Sequence, residues 1–327
     1  MNKILLGLAI AFQFLVLTWM VAGREHLLAT GEVVWLRTAP VDPQDMFRGD
    51  YVTLNYEIAN VPQNLWSVEA AKAHVVDELD LPVYVSLAKD EDGHAKATAL
   101  DVKKPANGLF VKGRMGRNGQ IAYGIDAYFV QQGEGHVLEA RAPAGLRKGL
   151  ILPREMEVAL GKDGTAALKG GYRWRGIGAC VEAIKGGAAG DVQIWFHNAT
   201  DKPVTLILPA DASTLEVEGM QYDYDFRRPQ GWKPATPTAA DVVVIPPHQE
   251  AGRQVSLGTA WVAKRKYGGS QEEGFHPIHT FENLHVSALT YKPPKPEQIA
   301  HLGLTPPPET EPIPLGRWIQ LFPKDGK

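Results

Sequence analysis

Residues 4–22, ILLGLAIAFQFLVLTWMVA, carry no charged side chain, and no other stretch limits the chain's folding as strongly. As a helix at about 1.5 Å per residue the run reaches about 28 Å, close to the roughly 30 Å of bilayer hydrocarbon. A cleavable signal peptide usually carries a shorter apolar region, about 7–15 residues. Trp19 near the far end suits the membrane–water interface, and Lys3 with the amino terminus puts positive charge before the span. The expectation is an uncleaved transmembrane anchor over 1–23, single-pass in the cytoplasmic (inner) membrane. Everything after residue 23 is then extracytoplasmic.

The remaining chain reads as β-structure. Its 327 residues are 44% hydrophobic with a net charge of −3, which allows two domains with separate cores. Neither that charge nor any basic stripe suits a nucleic-acid partner. Cys180 is the single cysteine, so an intramolecular disulfide is excluded. Hairpin signals recur at Lys89–Gly93, Asn118-Gly119 and Asp163-Gly164, each between apolar runs. SVEAAKAHVVDEL, 67–79, has a Ser cap candidate and helical spacing. These predict a mainly β domain over 24–175, a curled sheet or small barrel with one or two short helices. Residues 176–190, rich in Gly and Ala without a period, read as a linker. Residues 191–327 alternate in short strands and predict an immunoglobulin-like β-sandwich. The Cys…Trp…Cys hallmark is absent, so that label concerns architecture.

FRGDYVTLNYEI, 47–58, has period-2 alternation after a Gly-Asp turn, so a strand is expected. In an unbroken strand Tyr51 and Tyr56 take opposite faces, with Val52, Leu54 and Tyr56 toward the core. The Arg48-Gly49-Asp50 triplet is too short to carry an adhesion reading. Gly49, Asp50, Tyr51, Leu54 and Tyr56 match the signature of the bacterial GDYXXLXY protein family letter for letter. A second segment, YGIDAYFVQQGEGHVLEA at 123–140, resembles that family as well, as do the apolar helix and VWLRTAPVDP. The resemblance covers about 1–170 and implies a membrane-anchored topology with no assigned reaction.

The candidate binding residues follow from those motifs. Tyr51, Tyr123 and Tyr128 can line a groove with Asp50 and Asp126 if the two segments lie together, although strand aromatics more often pack. FVKGRMGRNGQ loosely resembles the lysine segment of type I signal peptidases and adds Lys112. The position that holds their serine nucleophile is Val41, and a lysine base without a nucleophile cannot run acyl transfer. His276, His279 and His285 form a candidate metal set, though the spacing matches no H-E-x-x-H helix and no cofactor is expected. Asp223 and Asp225 share a strand face without the sugar cleft that paired carboxylates serve. Cys180 falls in the expected linker as a candidate reactive thiol. Asn198-Ala199-Thr200 reads as a hairpin turn. The leading function is a membrane-anchored binding or accessory protein of the cell envelope, acting with a membrane-protein or envelope partner. The alternatives are an envelope hydrolase or a degenerate signal-peptidase-like barrel.

Overall fold

The computed structural model describes residues 3–39, 51–75, 81–129, 142–184, 190–219, 224–258, 260–265, 274–278, 281, 285–305 and 308–320. The chain divides into two compact units, Met1–Ala140 with Arg154–Arg173, and Arg141–Pro153 with Trp174–Lys327.

The first unit opens with helix α1, Lys3–Thr30, 28 residues without a break. Leu5–Thr30 is long and apolar enough to cross a membrane, by length and composition, and Leu5 through Val21 leave large apolar side chains exposed. The helix ends where Gly31 donates to the Leu27 carbonyl at 2.8 Å. A Cβ at Gly31 would stand 2.6 Å from that same oxygen, so only glycine makes this exit without a shift. Beyond it run β1 (Glu32–Ala39), β2 (Tyr51–Thr53), β3 (Asn55–Tyr56), α2 (Val68–Val75), β4 (Leu81–Lys89) and β5 (Ala95–Asp101). Then come β6 (Leu109–Met115), β7 (Ile121–Ala122), β8 (Ala127–Phe129), β9 (Arg154–Leu160) and β10 (Ala166–Trp174). One sheet has the order β10-β9-β1-β3, a second β5-β4-β6-β7, and β2 pairs with β8 alone. Apolar side chains alternate inward from both larger sheets, among them Val34, Leu36, Val83, Val85, Met156 and Val158, and they share one core. α2 starts as expected, with Ser67 Oγ accepting from Ala70 N at 3.1 Å.

The strand expected after Gly49 is interrupted. β2 pairs with β8 and β3 pairs with β1, and Leu54 between them crosses from one sheet to the other. The parity argument for an unbroken strand therefore does not apply across Leu54. Leu54 and Tyr56 both reach the core. The turn at Gly49-Asp50 and the side chains of Tyr51 and Val52 lie outside the described residues.

The second unit comprises β11 (Ile177–Ala183), β12 (Asp191–Asn198), β13 (Val204–Ile207), β14 (Leu215–Gly219), β15 (Tyr224–Arg227) and β16 (Val242–Ile245). It continues through β17 (Glu250–Ser256), β18 (Val262–Arg265), β19 (His276–Pro277), β20 (His285–Tyr291), α3 (Pro296–Ile299) and β21 (Ile313–Gln320). The sheets are β11-β12-β17, β13-β16, β14-β20-β21 and β15-β18-β19. Phe196, Ile194, Leu206, Ile245, Val286, Leu289 and Tyr291 pack into a single core drawn from several of them. The protein is mainly β, with an immunoglobulin-like sandwich consistent with these layers.

Two boundaries differ from the sequence reading. Ile177–Ala183 is a strand, paired along its length with β12 from Ile177↔Asn198 to Ala183↔Val192. Its small residues reflect close packing rather than a linker, since a Cβ at Gly178 would meet Leu152 Cδ1 at 2.5 Å. A strand covered on both faces loses the alternation that marks a half-exposed one. Leu150 and Leu152 are buried, and Ile151 exchanges backbone bonds with Ala179, so 141–153 belongs to the second unit. Cys180 is accordingly a buried strand residue.

Candidate functional site

The two motif segments are knitted together. Tyr51 stands opposite Phe129, Val52 opposite Tyr128 and Thr53 opposite Ala127, and Leu54 N donates to the Asp126 carbonyl at 2.7 Å. The closure is reciprocal. Tyr56 Oη, from the first segment, donates to the Ile125 carbonyl of the second at 3.0 Å. Tyr123 Oη, from the second, donates to the Ile58 carbonyl at the end of the first at 2.6 Å. Both rings are buried. Burial, and then the Asp126 charge, pushes both phenols well above their ordinary pKa, so both remain neutral donors. Each satisfies a backbone carbonyl inside the core that water no longer reaches.

The other candidate residues fall in three places. Asp126 accepts from Gly124 N at 3.1 Å, which fixes the left-handed turn at Gly124. Tyr128 is half-buried and donates to the Gly170 carbonyl of β10 at 3.1 Å. Lys112 is exposed on β6, opposite Tyr84. Its neighbour Gly113 makes room for Ile121 and Tyr123, so Lys112 occupies the other face of that sheet. The fold thus gathers Tyr123, Asp126 and Tyr128 on one segment and sets Lys112 apart. Asp50 lies outside the described residues, and of Tyr51 only the backbone is described. His276 pairs with Ala263 in β18; His279 and the side chain of His285 lie outside the described residues, as does Asp223. Asn198 is buried and orders its turn, donating to the Lys202, Ile245 and Pro246 carbonyls and accepting from Thr200.

A charged cluster that the sequence reading missed lies within the first unit. Glu155 on β9 is fully buried, and Arg173 from β10 donates to its Oε2 from Nε at 2.8 Å and from a terminal nitrogen at 2.7 Å. His94 Nδ1 stands 2.9 Å from Oε1, and Arg37 on β1 stands 3.9 Å from it. Burial opposes the charge on Glu155, but His94 and Arg173 outweigh it and hold the carboxyl below its ordinary pKa. The Arg173 guanidinium also stacks over Trp35 at 4.3 Å and donates to the Asp92 carbonyl. In this way the Asp90–His94 turn is tied down onto β1, where Trp35 N donates to the Gly93 carbonyl. No periodicity announces such a cluster, because its members come from three strands and a turn.

An open cleft of about 1160 Å³ lies at the base of α1. Leu27, Phe110 and Leu160 give it an apolar floor, and His26, Lys104 and Asp163 a polar rim. Thr165 donates to Asp163 from its hydroxyl at 2.7 Å and from its backbone at 3.1 Å, which lowers the carboxyl's pKa. The rim is mixed in charge, and its size is that of a site for a small amphiphile or a peptide segment.

Residues 13–170 match the model of the GDYXXLXY protein family. No curated protein and no solved structure matches the chain. The matched stretch takes in most of α1, both tyrosine segments and the whole of β9, the elements from which the first unit is built. With its two motifs closed on each other, the part of the chain from residue 13 to residue 170 belongs to the GDYXXLXY protein family.

Proposed function

We propose that this is a membrane-anchored extracytoplasmic binding or accessory protein of the cell envelope, whose first unit works against the membrane surface with a membrane-protein or envelope partner. The observation that carries this reading is the continuity of α1. The helix runs without a linker from its exposed apolar stretch into the folded unit, where Leu27 becomes half-buried near Gly161 and Arg24 reaches the Ala166 carbonyl. A removable leader has no need of such a seat. With α1 in a bilayer, the cleft at its base opens at headgroup level, where a lateral partner is presented to it. Asp126 and Tyr128, on the segment that pairs with the strand opened by Tyr51, supply a second recognition edge in the same unit.

Lysine-reactive crosslinking in native membranes tests the reading. The full chain is expected to give a discrete higher-mass species that disappears when residues 1–23 are removed. Monomer alone from both forms would contradict a partner at the membrane.

A further inference from the structure

We infer that α1 pairs inside the bilayer with a transmembrane helix of a different membrane protein, through the face that carries Gln13 and beneath the overhang of the first unit. The inference rests on the proposal that α1 is a retained anchor. Gln13 stands at the centre of the uncharged run 4–22 and is exposed on α1. From there its short side chain cannot reach either interface. The carboxamide brings two donors and an acceptor into hydrocarbon, where polar groups left without partners are costly. Thr18, the other hydrogen-bonding side chain well inside the span, can turn its hydroxyl back onto its own helix. Gln13 needs a neighbour.

The sequence around Gln13 supplies a packing seam. Leu6, Ala9, Gln13, Val16 and Met20 alternate steps of three and four residues, the spacing of one helix packed along another. Ala9 lies about one turn before Gln13 and lets a second backbone come close.

The same face leads to the folded unit. Arg24 follows Gln13 by about three turns at 3.6 residues per turn, and Gly31 by about five. Arg24 donates to the Ala166 carbonyl, and Gly31 lies against Ala159 and Leu160 of β9. The first unit therefore hangs over the side on which Gln13 projects. Two copies joined through this face would each bring a whole unit into the space above the other's helix. A second copy is thereby disfavoured. The space admits a helix with a hydrogen-bonding side chain at mid-bilayer and little structure emerging beneath the unit.

The test is photo-crosslinking of the full chain in native membranes, with a benzophenone side chain at Met20 on the seam or at Ala11 on the opposite face. An adduct with another protein is expected from position 20 and not from position 11. Gln13→Leu should lower its yield about tenfold, the equivalent of one interhelical hydrogen bond, and Gln13→Asn should retain it. An adduct of twice the chain's own mass, lipid adducts alone, equal yields from both faces, or indifference to Gln13→Leu would each overturn the pairing. Carbonate extraction of the same membranes separates the two proposals. Protein in the pellet with the pairing lost overturns the pairing alone, whereas protein in the supernatant overturns the anchor on which it rests.

Discussion

Glu155 shows how one side chain can govern the first unit. Its charge is tolerable only because Arg173 and His94 face it, and removing it leaves the half-buried Arg173 without its carboxylate. Glu155→Ala is expected to cost about 3–5 kcal/mol, as broken buried pairs do, measurable by urea denaturation of a soluble fragment starting at residue 24. Because the folded carboxyl titrates below its ordinary value of 4.5, its contribution is fully present above that value. It is lost as pH falls through the lower, folded pKa. Glu155→Gln should therefore flatten the acid limb of the stability profile; an unchanged acid limb would mean that the pair is not formed. Tyr56→Ala should cost about 3–5 kcal/mol, while Tyr56→Phe loses one hydrogen bond, about 1 kcal/mol, together with whatever it costs to strand the Ile125 carbonyl. Cys180 is a further residue-scale case. Burial, followed by the nearby Glu182, pushes its thiol up to about 11, so a maleimide should label it slowly in the native protein and rapidly in urea. Fast native labelling would restore the exposed thiol that its glycine-rich surroundings suggest.

Among the elements, those announced by turn chemistry were legible in the sequence. The hairpins at Asp90–Gly93, Asn118-Gly119 and Asp163-Gly164 formed where Gly-containing turns separate apolar runs, because a left-handed glycine marks its own place. The motif segments were legible as strands. What the alternation could not reveal is the break at Leu54, since Leu54 and Tyr56 are both buried, as they would be in one continuous strand. β11 was missed for the opposite reason. Gly178 and Ala179 are small because residues 151 and 152 lie flat on them, a constraint set by a distant segment. Gly178→Val should accordingly destabilise the second unit by about 1–3 kcal/mol through overpacking, seen as a lowered thermal midpoint. A neutral effect would return 176–183 to the status of a linker. Of the candidate site, the meeting of the two tyrosine segments could be anticipated from their shared family pattern. The Glu155 cluster could not, because contacts among β1, β9, β10 and a turn leave no spacing in the chain.

At the scale of the whole molecule, the two units each close a core of their own, but their boundary does not follow the chain. The second unit takes Leu150 and Leu152 from before β9 and begins again at Trp174. A fragment covering 191–327 omits β11 and both leucines, and it is expected to show a non-cooperative melt; a sharp transition would mean that the core closes without them. The central claim concerns the other end. If α1 is the fixed stem of the first unit, it is kept for the life of the protein, and the cleft and Gln13 face described above both depend on it. The most direct test is the intact mass of the protein purified from native membranes. A mass that includes residues 4–22 is expected. A mature chain beginning near residue 24 would contradict it.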